Sequence, residues 1–214
     1  MKVIKTTVDD AETSVDIDLF EGRKLPLAVR QRVSDEVGNF LVEQTLISLD
    51  QKKSPVQGEG SFKPLSPLYK KKKQNEVGNT DANLEFDGLM KDSLDFVPTK
   101  SGVRIGVYGE RAPAADGHNN LSGNSNLPTR RFLPKEGQQY KANIEREVER
   151  IIADAIAEET TFKKSEFKNI TSKKELYEKL AQTFGGTRAE IALAVFRNEA
   201  LVDLLGELDL VKLL

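Results

Sequence analysis

DFVPTKSGVRIGVYG, residues 95–109, contains two strand-like runs joined by a short turn, and it decides the fold class of the chain. The runs cover 95–100 and 102–109, and both contain the β-branched and aromatic residues that favour strands. Because they are joined directly at Lys100 to Gly102, the simplest structure is a β-hairpin. Pro98 has no backbone N–H to donate, so we expect the first run at the edge of a sheet.

A third strand is predicted upstream, at SVDIDLF, residues 14–20. Val15, Ile17 and Leu19 alternate with acidic residues, which is the period-2 pattern of a half-buried strand. Gly22 marks the end of this strand. Together with the hairpin, it predicts a small antiparallel sheet.

Two long amphipathic helices are predicted, over about 26–48 and 138–158. Their apolar residues recur mostly three or four positions apart and therefore share one helix face. Gly38 lies inside the first helix, where glycine costs about 1 kcal/mol relative to alanine. The expected fold is α+β, with a small antiparallel sheet packed against the two helices. The apolar positions are Val29, Val33, Val37, Phe40, Leu41 and Ile47, and then Tyr140, Ile144, Val148, Ile151, Ala155 and Ile156.

The last part of the chain, 161–214, is expected to form a helical extension after an α+β domain of residues 1–160. Two pairs, Ser172 with Glu175 and Thr187 with Glu190, have the spacing of a capping box, which satisfies the first backbone N–H groups of a helix. The final run, LVDLLGELDLVKLL, is too apolar to remain in water, so we expect it to dock on the body or on a neighbouring subunit. Helices are predicted over about 173–184, 188–198 and 199–213.

Two long loops are predicted, over 51–83 and 110–134, because these segments are rich in Gly, Pro, Asn and Ser. The first is expected to be an exposed connection with a short ordered stretch near 65–69. A short helix, or a turn followed by a helix, is predicted over 84–94. The second loop is expected to lie on the surface over 117–134.

Charge and composition exclude several classes of function. Lys plus Arg number 32 against 34 Asp plus Glu, so the net charge of −2 provides no field that pulls the whole protein onto nucleic acid or an anionic membrane. The absence of cysteine excludes disulfides and thiolate metal sites and fits a reducing compartment. No stretch approaches the roughly 18 apolar residues of a membrane span, and no signal peptide is visible. We therefore expect a soluble protein made in a cytoplasm.

No metal or cofactor site is predicted. A single histidine cannot build a histidine cluster. Carboxylates can hold a hard cation, but a string of acids along a strand is more typical of a solvated surface. Neither a phosphate loop nor a dinucleotide-binding fingerprint occurs in the sequence. The acids concerned are Asp9, Asp10, Asp16 and Asp18.

His118 raises the question of catalysis, because Asp116, Ser122 and Ser125 lie near it in the sequence. A nucleophile–base arrangement would need the imidazole to be oriented by a carboxylate and to face a hydroxyl group. Neighbours within a glycine-rich loop are rarely held rigidly enough for this chemistry. We therefore expect a surface or hydrogen-bonding histidine and no enzymatic activity.

Two features indicate contact with nucleic acid as an alternative. Ala181, Gly185 and Ile191 have offsets that resemble a helix-turn-helix, but the second helix offers few base-reading side chains, so helix–helix packing explains the spacing better. A basic run would contact phosphates or acidic groups of a partner protein, or would form a solvated loop. This run consists of Lys70, Lys71, Lys72 and Lys73.

Four short blocks follow one another along the chain: FKPLSPLYKKK (62–72), LEFDGLMKDSL (84–94), VRIGVYG followed by AADGHNN (103–120), and LPTRRFLP (127–134). In this order they resemble the phage virion morphogenesis and tail-completion proteins, a family of the head–tail junction of tailed bacteriophages. The second block has Asp87 where the family has threonine, and the fourth has Pro134 where glycine is common. The resemblance does not reach 160–214.

The resemblance implies a structural virion protein of the phage neck, a ring of six copies that completes the tail and joins it to the DNA-filled head. Its partners would be further copies of itself and the adjacent head-closure, tail-terminator or tail-tube proteins. A net charge near zero suits a channel that must let DNA slide through. The alternative is a DNA-binding accessory protein that uses the basic run and the helix-turn-helix-like segment.

The resemblance also implies that the 117–134 loop contacts a partner. Phe132 and Leu133 would be buried and anchor the loop, while Arg130 and Arg131 would be free to bind carboxylates. The expected contact residues are His118, Arg130, Arg131 and Phe132.

Overall fold

The computed structural model describes residues 1–23, 25–78, 80–81, 89–159, 167–184, 187–197 and 199–214. These residues form two compact units. The sheet unit comprises Met1–Glu21 and Ser34–Val148, and the helical unit comprises Gly22–Val33 and Glu149–Leu214. The expected domain boundary at residue 160 lies outside the described residues.

The sheet confirms the predicted hairpin and the predicted α+β class. Its four antiparallel strands lie in the order β1-β2-β4-β3. The two strands of the hairpin pair directly, with Phe96 opposite Ile105, and β3 is an edge strand, as Pro98 requires. The strands are β1 (Lys2–Val8), β2 (Glu12–Asp18), β3 (Leu94–Pro98) and β4 (Gly102–Tyr108).

Strand β1 is absent from the sequence-based prediction, and its irregular register explains why. The pairing with β2 shifts between Val3 and Lys5, so the side chains of β1 do not alternate strictly between the two faces. After the shift, Thr6 pairs with Val15 and Val8 with Thr13. The apolar pattern of β1 is therefore too weak to be read as a strand.

Helix α1 (Leu27–Asp50) confirms the first predicted long helix and packs on the sheet. A Cβ atom at Gly38 would lie 2.1 Å from the ring of Phe96, so this glycine lets the helix approach β3 closely. The Ser34 hydroxyl donates to the carbonyl of Gly102 over 2.8 Å. The second long helix, α5, begins at Ala142 and ends at Glu159. Ile144 lies in its first turn and is buried.

Both predicted loops contain helices, so the prediction that these segments are irregular connections is wrong. Helix α2 (Pro67–Val77) replaces much of the first loop. Helix α4 (Ala112–Asn119) opens the second loop, where a 3₁₀ turn precedes it. Between them, α3 (Leu89–Asp92) is the described part of the predicted 84–94 helix, whose first residues, 84–88, lie outside the described residues.

The helical unit confirms the predicted helices of the C-terminal segment. Both capping boxes form: the Ser172 hydroxyl accepts from the backbone N–H of Glu175 over 3.2 Å, and Thr187 pairs with Glu190 in the same way. In the final run, Leu201, Leu205 and Leu210 are buried, which confirms that this run docks rather than remaining in water. The helices are α6 (Lys173–Phe184), α7 (Arg188–Arg197) and α8 (Glu199–Glu207).

Candidate partner-binding site

Helix α4 ends in a way that fixes the direction of the following loop. Asn120 has a left-handed backbone, with φ of 54°, a conformation that asparagine tolerates better than most residues. The Asp116 carboxylate then accepts the backbone N–H groups of Leu121 at 2.8 Å and Ser122 at 3.0 Å. The Ser122 hydroxyl donates to the same carboxylate over 2.5 Å. The loop therefore leaves the helix in one defined conformation.

Asn119 connects α4 to the chain that returns from the loop. Its side-chain oxygen accepts the backbone N–H groups of Phe132 at 2.6 Å and Leu133 at 2.8 Å. Its amide nitrogen donates to the Leu133 carbonyl over 3.0 Å. Asn119 is fully buried, so these hydrogen bonds are shielded from water. The sequence-based prediction missed this residue, and its only signal is an amide side chain immediately before the Asn120 helix cap.

Arg130 is a structural link and is not free to bind a carboxylate on a partner, so that part of the expectation is wrong. The residue is 4% exposed. Its guanidinium donates to the backbone carbonyls of Lys63 at 3.0 Å and Pro64 at 3.2 Å. Burial lowers the pKa of Arg130, but the carbonyl oxygens accept its hydrogen bonds. Arg130 thereby connects two segments that are far apart in the sequence.

Arg131 is also buried, and its carboxylate partner lies within the chain. The Arg131 guanidinium contacts the Glu59 carboxylate at 3.2 Å and donates to the side-chain oxygen of Gln138 at 3.3 Å. The expectation that Arg131 is free to bind a partner is therefore also wrong. Phe132 and Leu133 are fully buried, as predicted for an anchor, so Phe132 cannot contact a partner in this conformation.

His118 lies against Arg130 and is neutral near pH 7. Its Nδ1 atom is 3.3 Å from Nη1 of Arg130. Because a guanidinium can only donate, Nδ1 must accept, which places the imidazole proton on Nε2. Burial, together with the positive charge of Arg130, lowers the pKa of His118 to about 4. The imidazole serves here as a hydrogen-bond acceptor inside the protein.

The hydrogen bonds around His118 do not form a nucleophile–base pair. The hydroxyl proton of Ser122 is directed to Asp116, and that of Ser125 is directed to the Gly117 carbonyl over 2.5 Å. The Nδ1 atom of His118 contacts Arg130. This arrangement stabilises a loop and does not activate a hydroxyl group.

The part of the loop that reaches solvent lies between these anchors, over 120–129. Ser125 accepts from the backbone N–H of Leu127 over 3.1 Å, and its own N–H donates to the side chain of Asn120. Leu127 is 51% exposed and lies beside Gly117, where an added Cβ atom would be 3.4 Å from the Leu127 side chain. The loop therefore presents an apolar side chain from an ordered backbone, which makes it the candidate surface for contact with a partner.

The basic run divides into one buried and three exposed lysines. Lys73 is 2% exposed, and its ammonium donates to the Asp81 carbonyl over 2.7 Å. The Asp81 carboxylate also accepts from Lys52 over 2.6 Å, a hydrogen bond that lowers the pKa of Asp81. The contact with phosphates or acidic partners stays a prediction for the exposed members, Lys70, Lys71 and Lys72.

Three of the four N-terminal acids, Asp9, Asp16 and Asp18, have structural partners. Asp9 and Asp18 accept backbone N–H groups in the turns that follow β1 and β2. Asp16 forms an ion pair with Arg104 across the sheet at 2.5 Å. Among the residues that the structure describes, no group of three or more metal-ligating side chains is placed to hold an ion. In the same part of the chain, no helix combines the length and apolarity that crossing a membrane requires.

None of the protein-family models, curated proteins and solved structures compared with this chain matches it. The candidate site is a buried anchor cluster, formed by His118, Asn119 and Arg130 to Leu133, which holds the exposed 120–129 loop and the segment before α2.

Proposed function

We propose that this protein is a structural component of the bacteriophage neck, in which a ring of copies completes the tail and joins it to the DNA-filled head. One observation carries the proposal. Three of the four blocks that resemble the tail-completion family come together around the anchor cluster, although the first of them is far from the other two in the sequence. A set of unrelated short matches would have no reason to meet in the fold.

Specific hydrogen bonds join these blocks. Arg130, in the fourth block, donates to Lys63 and Pro64 in the first block, which lie 67 and 66 residues earlier. Asn119, in the third block, binds the backbone of Phe132 in the fourth. The first residues of the second block, 84–88, lie outside the described residues. The blocks therefore support one structural task, which is to fix the 120–129 loop.

The geometry supports a function that works through complementary surfaces. The loop is ordered by internal hydrogen bonds, so a partner that binds it pays little of the entropy cost of ordering a loop. In a ring, each modest contact is repeated by symmetry, and the avidity of the whole exceeds that of one contact. A net charge of −2 lets DNA pass without strong retention by phosphate contacts.

The test uses a phage genome that encodes this protein and substitutes Leu127→Asp. The side chain is exposed, so the subunit should fold, while a charge placed in an apolar contact should prevent docking. We expect filled heads and separate tails by electron microscopy, and a fall in infectious titre of at least about tenfold. The matched control is Phe196→Asp, an apolar position of the helical unit that is somewhat more exposed than Leu127. Joined, infectious particles without any gene product would refute the proposal.

A DNA-binding accessory protein is the second candidate, and the exposure of Lys70, Lys71 and Lys72 on α2 favours it. The helix-turn-helix-like segment supports it less. Its Gly185 lies outside the described residues, and Arg188 at the start of α7 lies over the ring of Tyr177, at 5.6 Å. This candidate predicts that the isolated protein binds duplex DNA and that the affinity falls steeply as salt is raised.

A further inference from the structure

Helix α2 has an unusual environment for a helix of 11 residues. Its one buried side chain is that of a lysine, Lys73. Leu68 is 85% exposed, and Tyr69 and Val77 are exposed as well. A short helix is marginal in water by itself, and most helices in proteins are stabilised by an apolar face packed on the core. Among the residues that the structure describes, α2 contributes no buried apolar side chain.

Polar contacts hold α2 in place instead. The Ser66 hydroxyl accepts the backbone N–H of Tyr69 at the start of the helix, over 3.3 Å. Gly78 closes the other end with a left-handed backbone. Lys73 fixes the middle through the Asp81 carbonyl. The helix is therefore positioned on the sheet unit with its outward side, which carries Lys70 and Lys71, available to another molecule.

The same unit presents a surface of opposite charge. The part of α1 from 34 to 50 contains four acidic residues and neither lysine nor arginine. One face of this segment follows the 4-3-4-3 spacing of a helix stripe, in the order Glu36, Phe40, Glu43, Ile47 and Asp50. All of them except the half-buried Phe40 are exposed, and Ile47 is 39% exposed, while the Asp50 carboxylate at the end of the stripe is paired with Lys91 at 2.5 Å. Asp35 lies beside this acidic stripe and is also exposed.

We propose that the exposed face of α2 docks on the acidic stripe of α1 in a second copy of this chain. Both surfaces belong to the sheet unit, so every copy supplies one of each. Such a contact joins unlike surfaces, and unlike surfaces generate a closed ring or a filament rather than a two-fold dimer. The inference rests on the proposed neck ring and supplies its subunit contact.

A protein surface fits α2 better than a nucleic acid does. Leu68, Tyr69 and Val77 would stay in contact with water if the lysines bound only phosphates. On the stripe, Val77, which lies on the Lys70 side of α2, and Leu68, one turn from Lys71, would meet Phe40 and Ile47 while the two lysines meet Asp35 and Glu43. Apolar burial and charge complementarity therefore favour the same occupant.

The first experiment measures self-association of the full chain by sedimentation and native mass spectrometry, at low and high salt. Wild-type protein should assemble beyond a dimer, and salt should weaken the assembly. The charge reversals Lys70→Glu with Lys71→Glu should weaken self-association at least about tenfold, and Asp35→Lys with Glu43→Lys should do the same. All four positions are exposed, so the variants should fold.

The second experiment mixes the two charge-reversed proteins. One then carries two acidic surfaces and the other two basic surfaces, so each interface between unlike copies is again complementary. We expect the mixture to recover assemblies in which the two proteins alternate, although neither assembles alone. A control with the same change in charge, Lys135→Glu with Lys174→Glu, alters exposed lysines outside α2 and should assemble like wild type.

The outcomes separate this inference from the proposed function. A wild-type chain that stays monomeric at micromolar concentration and low salt overturns the inference, as does assembly that neither reversal weakens or a mixture that fails to recover. If α2 reversal abolishes salt-sensitive binding to duplex DNA and leaves self-association unchanged, α2 is a phosphate-binding surface instead. Failure of the neck function is read independently, from particles that lack the gene product.

Discussion

At the scale of single residues, the side chain of Asn119 makes hydrogen bonds to the backbone of the returning chain. In a sheet, a neighbouring strand would make the corresponding hydrogen bonds. Its one side chain satisfies two backbone N–H groups and one carbonyl of the returning chain, all within the buried anchor cluster. Arg130 does the same for the segment before α2. Two polar side chains thus replace regular secondary structure where the chain must expose a loop and then return to the core.

Asn119→Ala should destabilise the protein by about 2 to 4 kcal/mol, because it leaves two buried N–H groups and a carbonyl without partners. Chemical denaturation of the purified protein measures the loss. The matched control is Asn124→Ala in the exposed part of the same loop, where we expect a change within about 0.5 kcal/mol. Equal effects of the two substitutions would contradict the role of Asn119.

His118 predicts a loss of stability in acid. Its pKa is about 4 in the folded chain against the ordinary value of 6.5, so the folded state holds the imidazole neutral. The contribution of His118 to the free energy of unfolding is fully present above pH 6.5. As the pH falls towards 4, up to about 3 kcal/mol of that contribution is lost. Unfolding free energies measured across this range should fall less steeply for His118→Asn, whose side-chain oxygen can accept from Arg130 without titrating. Parallel pH profiles for the two proteins would exclude this explanation.

At the scale of elements, α1 and α2 are helices for different reasons. Helix α1 has a buried apolar face, which includes Val37 and Leu41 within the sheet unit, and its internal glycine, Gly38, lies against the Phe96 ring of β3. Helix α2 has polar caps and one buried lysine and lacks a buried apolar face. The periodic spacing of apolar residues in the sequence therefore predicts α1 but cannot predict α2.

Gly38→Ala should destabilise the protein by about 1 to 3 kcal/mol, even though alanine is the better helix former. The added methyl group would overlap the Phe96 ring. Gly206→Ala in α8 is the matched control, because no atom lies within 4 Å of the added Cβ there, and it should stabilise by up to about 1 kcal/mol. Thermal unfolding of both variants gives the sign of each change. Stabilisation by Gly38→Ala would show that the helix and strand are not closely packed.

At the scale of the whole molecule, the two units do not follow the order of the chain. The helical unit takes Gly22–Val33 from the N-terminal half and adds it to Glu149–Leu214. Within this unit Val29, Val33 and Ile156 are buried. The C-terminal helices therefore belong to the same compact unit as Gly22–Val33 and are not an independent appendage.

A chain cut after residue 160 should be less stable than the full chain and prone to aggregate. Truncation removes α6, α7 and α8 from the helical unit and leaves the apolar side chains of Val29 and Val33 without the rest of their core. We expect a lower melting temperature and aggregates in size-exclusion chromatography. A monomeric 1–160 fragment that melts at the temperature of the full chain would show that the C-terminal segment is dispensable for the fold.

The sequence by itself determined the α+β class, the hairpin with its edge proline, the long helices and the capping boxes, because each is encoded by local period or spacing. It also indicated Phe132 and Leu133 as buried anchors. Only the tertiary structure decided the bulged strand β1, the helices α2 and α4, and the burial of Arg130, Arg131 and Lys73. These depend on partners tens of residues away, such as Glu59 for Arg131, and a local pattern contains no information about a distant acceptor.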